Sequence, residues 1–385
     1  MRVALVHDWL VTMRGGERVL DALCELFPQA DLFSLIHRPG STSPRIEDRR
    51  ITTSFLDRVP AIHRRYRSFL PLMPRAIESL DLSGYELVVS SSHCVAHGVR
   101  VPEGAVHVSY VHSPMRYMWD LFDDYFGPGR ASLPVRLAAR TARPWLQAWD
   151  RSRAQAVDHV VANSAFIAGR IARAWGREAA VVSPPVELDR FTGVPLDGGG
   201  QGGYFLWLGA FAPYKRLDIA LEAFAELGQP LWIVGGGQDE AKLTRRALPG
   251  NIRFLGKVPD AEIPELFRGA RALIFTAEED FGITPLEALA CGRPVIALGR
   301  GGARETVTDQ TGLFFAEQTP GSLSAAVRAF DGWSAGFRPE DARAQALRFS
   351  REQFLRDFSR EVETALRRRE ADAAQGRRPP SPSGL

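Results

Sequence analysis

Residues 272–297 read ALIFTAEEDFGITPLEALACGRPVIA, and the fold class turns on this stretch. Ala272 to Phe275 and Pro294 to Ala297 are apolar runs of strand length. Between them, Phe281 to Thr284 form a turn whose free N–H groups open a helix. Strand, helix and strand in that order make a β-α-β unit, the repeating element of parallel sheets.

Outward from this unit the alternation continues. Tyr204 to Leu208, Leu231 to Val234 and Ile252 to Leu255 precede it as strands, and Leu313 to Phe315 follows it. The N-terminal half repeats the theme with strands at Val3 to His7, Leu87 to Ser91, Val106 to Val111, Val157 to Ala162 and Ala180 to Ser183. After the turn Thr12 to Gly16, a helix carries Val19, Leu20, Leu23, Leu26 and Phe27 on one face. The aperiodic stretch TGVPLDGGGQGG separates the two series and reads as a linker. The expected organisation is α/β, with two Rossmann-like, doubly wound domains facing a central cleft. An N-terminal domain spans 1–191, a glycine-rich linker 192–203, and a C-terminal domain 204–349. A C-terminal helix at 350–370 is read as packing back on the N-terminal domain, and 371–385 as a disordered tail.

Composition narrows the class. With 385 residues, 45% of them hydrophobic and 24% charged, the chain is long enough for two cores and far from the disordered regime. A net charge of +3 gives no general argument for nucleic acid. Cys24, Cys94 and Cys291 stand singly, which rules out a disulfide framework or a Cys-x-x-Cys site. The apolar run in Met1 to Asp8 is too short for a signal peptide, and no run of about 18 apolar residues could span a membrane. The expectation is a cytoplasmic protein.

In open α/β sheets ligands bind at the C-terminal ends of the strands, so three turns are candidates. Gly15 and Gly16 remove side chains ahead of a helix N-terminus, where N–H groups and the helix dipole favour an anion. Lys215 and Arg216 follow a strand-to-helix turn, an unfavourable place for two cations unless an anion meets them. Glu279 and Glu287 flank the turn Phe281-Gly282-Ile283-Thr284. Carboxylates there would accept bonds from sugar or ribose hydroxyls, and the amides would donate to phosphate or sugar oxygens.

The string EEDFGITPLEALACGRPVIA, with GGARETV and TGLFF after it, resembles the donor-binding signature of retaining glycosyltransferases of family 4, whose fold is GT-B. The resemblance extends over about residues 1–365 through SYVHSP, VVANSAFIAGRI, SPPVELDRF and FLGKVPDAEIPELF. HDWL, GGERVL, SSSHCVAHGV and YVHSPMRYMWD look most like bacterial mannosyltransferases that use GDP-mannose in O-antigen and exopolysaccharide synthesis. The resemblance implies that Glu287 binds the nucleotide ribose and Glu279 the donor-sugar hydroxyls. It implies that Phe281 to Thr284 make backbone contacts, that Lys215 holds the diphosphate and that Gly16 approaches the β-phosphate. His112 falls near the reacting sugar, and Lys257 and Val258 where the base is held. The catalytic set is thus His112, Glu279 and Lys215, with no metal and no cofactor. Two positions depart from the family: Ala210 stands where arginine is usual, with Arg216 the candidate substitute, and Thr276-Ala277 stands where Pro-Ser is common.

No Asp-x-Asp occurs, so a metal-bridged diphosphate lacks obvious ligands. Fixed cations and helix ends are expected to stabilise the leaving group. Retention with attack on the leaving-group face, implied by the family, leaves no dedicated base to name. The segment Arg58 to Arg75 carries Arg58, Arg64, Arg65, Arg67 and Arg75 without an acid, interleaved with Val59, Ile62, Tyr66, Phe69, Leu70, Leu72 and Met73. Arg136, Arg140 and Arg143 repeat the theme beside Leu133 and Leu137. Such segments suit an anionic membrane surface. The reading is a hexosyltransferase, peripheral at the inner face of the cell membrane, that acts on a lipid-linked glycan without nucleic acid. The alternatives are another sugar-nucleotide GT-B enzyme (a UDP- or ADP-sugar transferase, phosphorylase or epimerase) or a noncatalytic scaffold of that fold. His7, His93 and His107 read as core or strand-end packing.

Overall fold

The computed structural model describes residues 1–196, 202–237, 239–240, 243 and 249–375. The centre of the glycine-rich linker, Lys242 and the tail from 376 lie outside the described residues. The chain divides into two units, Met1–Pro185 joined by the chain from Phe354, and Val186–Gln353.

The first unit carries β1 (Val3–His7), β2 (Asp31–Ser34), β3 (Ile51–Thr53), β4 (Leu87–Ser92), β5 (Val106–Val111), β6 (His159–Ala162) and β7 (Ala180–Val181). They form one sheet of order β3-β2-β1-β4-β5-β6-β7, parallel throughout. Alternate residues serve opposite faces, as strand geometry requires. Ala4, Val6 and Val88 join one core with Met73, Met115 and Leu146, whereas Leu5, Val89 and Val108 join another with Leu20 and Tyr110. The helix Arg351–Ala374 packs Phe354, Phe358, Val362 and Ala365 into that second core, and Glu361 meets His159 at 2.7 Å. Each phenylalanine buried this way contributes roughly 2–3 kcal/mol.

The second unit carries β8 (Phe205–Ala210), β9 (Leu231–Gly236), β10 (Ile252–Gly256), β11 (Leu273–Phe275), β12 (Val295–Leu298) and β13 (Gly312–Phe315). They form a parallel sheet of order β10-β9-β8-β11-β12-β13. Each unit is therefore Rossmann-like, and strand order reverses beside β1 in the first and beside β8 in the second. Those reversals open crevices at the strand ends β1/β4 and β8/β11.

Three details differ from the sequence expectations or add to them. The boundary between units falls at Pro185/Val186 and not near 191, because Val186, Leu188, Phe191 and Val194 pack with Leu206, Phe267 and Leu289 in the second unit. β2 and β3 have no apolar run long enough to announce them; parallel pairing to β1 and then to β2 makes them strands. The basic stretch from Arg58 is a succession of short turns, Phe55–Arg58, Ile62–Arg65, Tyr66–Leu72 and Met73–Glu78. Its five arginines are exposed, while Ile62 and Met73 are buried and Val59, Tyr66, Phe69 and Leu70 lean on the same core. Of its large apolar side chains, Leu72 stays largely in solvent, 46% exposed.

Candidate functional site

In the Val186–Gln353 unit the residues singled out from the sequence gather at the β8/β11 strand ends. Lys215 ends the short helical turn Pro213–Lys215 after β8, and Glu279 lies four residues past β11. The Lys215 ammonium and the Glu279 carboxylate form an ion pair with both side chains largely buried. Thr276 supports the pair: its hydroxyl donates to the Lys215 carbonyl at 2.7 Å and accepts from Trp207 Nε1 at 3.0 Å. Gln318 donates to the Thr276 carbonyl at 2.9 Å. Threonine at 276 thus joins the end of β11 to the lysine turn, a role that its sequence position does not disclose.

The turn Phe281–Gly282 precedes the helix Ile283–Ala290, with Gly282 at φ +92°, a left-handed conformation that glycine adopts without strain. Glycines 301 and 302 press against it. The Gly302 N–H donates to the Glu279 carbonyl at 2.8 Å, and a Cβ at Gly302 would lie 2.3 Å from the Phe281 Cα. The backbone of this turn is therefore held by a second backbone with no side chain between them. Glu287, one turn into the helix, is buried, and Arg190 Nη2 lies 3.5 Å from its Oε1. Lys257, past the end of β10, is exposed and runs over Gly236, while Val258 leans on the core.

Arg216 does not stand ready as a free cation. Its guanidinium lies 3.0–3.2 Å from both Asp218 oxygens and 3.4 Å from Gln318 Oε1. Ala210, at the end of β8, is exposed. The carboxylate of Asp218, two residues on, competes with any ligand for the Arg216 charge, a partner that the count of basic residues in the motif overlooks.

In the other unit the β1/β4 strand ends collect a cluster around Gly16. A Cβ placed on Gly16 would lie 3.6 Å from His7 Cε1, 3.8 Å from His93 Nδ1 and 3.8 Å from His112 Nε2. His112, at the end of β5, is fixed by Ser91 Oγ at 2.9 Å from Nε2, and Asn163 donates to its carbonyl. Burial, together with the charges of His93, His7 and Arg116, holds its imidazole well below the usual range, so the ring is neutral at pH 7. Burial likewise lowers His93 against the pull of Asp8. Asp8 is fully buried and accepts four backbone N–H groups, from His93, Cys94, Val95 and Ala96, at 2.6–2.9 Å, with His93 Nδ1 3.2 Å from Oδ2. His7, also fully buried, makes no hydrogen bond through either ring nitrogen; Glu17 Oε1 is 3.8 Å from its Nε2. Glu17 Oε2 accepts the Arg14 N–H at 2.9 Å and so caps the helix Gly15–Leu26. Sequence reasoning placed Gly15, Gly16 and His112 here but missed Asp8, Glu17, His7 and His93. The HD pair at a strand end was the available signal.

The second basic group also divides. Arg143 Nε and Nη2 donate to the carbonyls of Met118 and Trp119, which makes it a structural tie. Leu133, Val135 and Leu137, at the start of the helix Leu133–Gln155, are 73%, 48% and 66% exposed beside the exposed Arg140. Among the described residues no helix is long and apolar enough to cross a membrane.

Comparison with known proteins agrees with this architecture. A family model described as Glycosyltransferase Family 4 matches residues 13–190, and one described as Glycosyl transferases group 1 matches residues 202–330. D-inositol 3-phosphate glycosyltransferase 2 of Catenulispora acidiphila is 30% identical over 206 residues, 45% of this chain and 47% of that protein. O-antigen chain mannosyltransferase C of Escherichia coli is 39% identical over 100 residues, 24% of this chain and 27% of that one. The chain thus spans less than half the length of these curated relatives. Among solved structures, Anabaena HepE in complex with UDP has a TM-score of 0.68 at 17% identity, covering 94% of this chain and 100% of that one, a likeness of fold. With two Rossmann-like units and a glycosyltransferase family model laid on each, the chain has the GT-B fold and is similar to family 4 glycosyltransferases over residues 13–190 and to group 1 glycosyl transferases over residues 202–330.

Proposed function

We propose that the protein transfers a hexose from a nucleotide sugar, mannose from GDP-mannose, to a lipid-linked glycan with retention of configuration. The observation that carries this reading is the meeting of Lys215 and Glu279 at the β8/β11 strand ends, beside the glycine-supported turn 281–284 and with Glu287 on the helix that follows. Paired in this way, the two charges neutralise each other. A diphosphate would draw Lys215 and release the Glu279 carboxylate to sugar hydroxyls, so donor binding exchanges one ion pair for two ligand contacts. As the bond to the sugar breaks, charge grows on the diphosphate, and a cation already in place stabilises it without reorganising. The amides of Phe281 to Thr284 add fixed dipoles. The leaving diphosphate takes the proton of the acceptor hydroxyl, and neutral His112 offers a hydrogen bond to the reacting sugar. Fixed cations make this transfer independent of a metal.

The mannosyltransferase relative favours mannose, and the UDP complex of the structural neighbour makes UDP-sugars the competing donors. Thermal-shift titration with GDP-, UDP- and ADP-sugars, followed by NMR of the product anomeric proton in excess chelator, separates them. Stabilisation by GDP-mannose and an α-linked product with chelator present is the expected result. Stabilisation by UDP-sugars alone would reassign the donor, an inverted product would remove the retaining assignment, and loss of activity in chelator restored by magnesium would remove metal independence.

Membrane association completes the proposal. Three exposed arginines, Arg64, Arg65 and Arg67, near anionic headgroups contribute about 1 kcal/mol each, and exposed Leu133 and Leu137 offer apolar contact. Cosedimentation with liposomes containing anionic lipid should therefore fall roughly a hundredfold in affinity when the three arginines become serine. Leu133→Ser with Leu137→Ser should lower it further. Equal sedimentation of all variants at low salt would remove the membrane role.

A further inference from the structure

Arg190 lies outside the motifs from which the donor site was read. It sits in the short helical turn Asp189–Thr192, within the Val186–Gln353 unit, and its guanidinium reaches two other segments. Nη2 is 3.5 Å from Glu287 Oε1 on the helix Ile283–Ala290, and Nη1 is 3.3 Å from Asp260 Oδ2, two residues beyond Val258. Its Cζ lies 4.5 Å from the centre of the Phe191 ring. Glu287 is only 8% exposed, so its carboxylate occupies a place where a charge without an opposite partner is costly.

We propose that Arg190 is a positioning residue for ribose recognition: its guanidinium, with one arm on Asp260, aims the Glu287 carboxylate at the ribose hydroxyls. This rests on the reading of Glu287 as the ribose ligand. A glutamate side chain has three torsions, and an ion pair to an arginine whose other arm meets Asp260 restricts that freedom. A carboxylate offers about four acceptor positions, so one contact with Arg190 is compatible with accepting from vicinal hydroxyls. The planar fork matters because its two arms serve two segments at once. A lysine ammonium is a point charge and can keep one contact but not the bridge.

The test is calorimetric and needs no acceptor. Binding of GDP, UDP and ADP, and of the 2′,3′-dideoxy form of whichever binds most tightly, is measured on wild type, Arg190→Ala, Arg190→Lys and Glu287→Ala. Wild type should prefer the ribose form by about tenfold or more, the worth of a hydrogen bond to a charged group. Arg190→Ala should lose most of that preference while binding the dideoxy form nearly as before, and Arg190→Lys should recover part of it. Adding Glu287→Ala to Arg190→Ala should cost no more than Glu287→Ala alone, since the two act through one contact. If Arg190→Ala keeps the full ribose preference, or weakens both ligands equally, the ion pair only braces the fold and the proposal is wrong. If Glu287→Ala itself keeps the preference, the ribose assignment fails first, and the two failures are told apart by that single variant.

Discussion

Lys215→Ala is expected to lower turnover by about 10²–10³-fold, the usual consequence of removing one fixed donor to a developing anion. The effect should fall on kcat more than on KM, because charge on the diphosphate is greatest in the transition state. Glu279→Gln keeps the shape and removes the charge that faces Lys215. It should lose turnover too, while leaving the lysine free to bind a nucleoside diphosphate at least as well as wild type does. Since the two side chains meet, the double variant should be less impaired than the product of the single losses. Steady-state kinetics with the four proteins and titration of the diphosphate check this together. Unchanged kcat in Lys215→Ala would detach the β8/β11 strand ends from the chemistry.

The second large effect separates folding from function at a single atom. Gly16 has an ordinary φ, and a Cβ there would rest in normal contact, 3.6–3.8 Å, with the rings of His7, His93 and His112. Nothing in the fold requires glycine, which lies in the first turn of the helix Gly15–Leu26, where alanine is the better helix former. Gly16→Ala should therefore stabilise the protein by up to about 0.5–1 kcal/mol. Yet the methyl would occupy the space over the turn that the family resemblance gives to the β-phosphate. Transfer should fall by at least about tenfold while the unfolding temperature holds or rises, since a misfit of about an ångström at a reacting group has that order of cost or more. Full activity in Gly16→Ala would leave this turn without a ligand role. A lowered unfolding temperature would mean that the glycine serves the fold.

Much of this protein is determined locally and can be read from the chain. The six strands of the second unit, and β1, β4 and β5 of the first, are apolar runs between turns. Burial on both faces demands such runs whatever the rest of the chain does. The glycines at 15–16 and 282, Lys215 and the glutamates at 279 and 287 stand in strings whose resemblance to a known family suggests their chemistry before any coordinates. Other features depend on residues far apart in sequence. β2 and β3 exist because β1 offers an edge, and Val186 to Val194 belong to the second unit because Phe191 finds Phe267 there. Asp218 and Gln318 claim Arg216, Thr276 holds the turn of Lys215, and Arg190 reaches Glu287 across 97 positions. A sequence pattern records which side chains are available at a turn. Which charge meets which is settled only when packing brings the turns together, because ion pairs and hydrogen bonds act over a few ångströms and do not depend on separation along the chain.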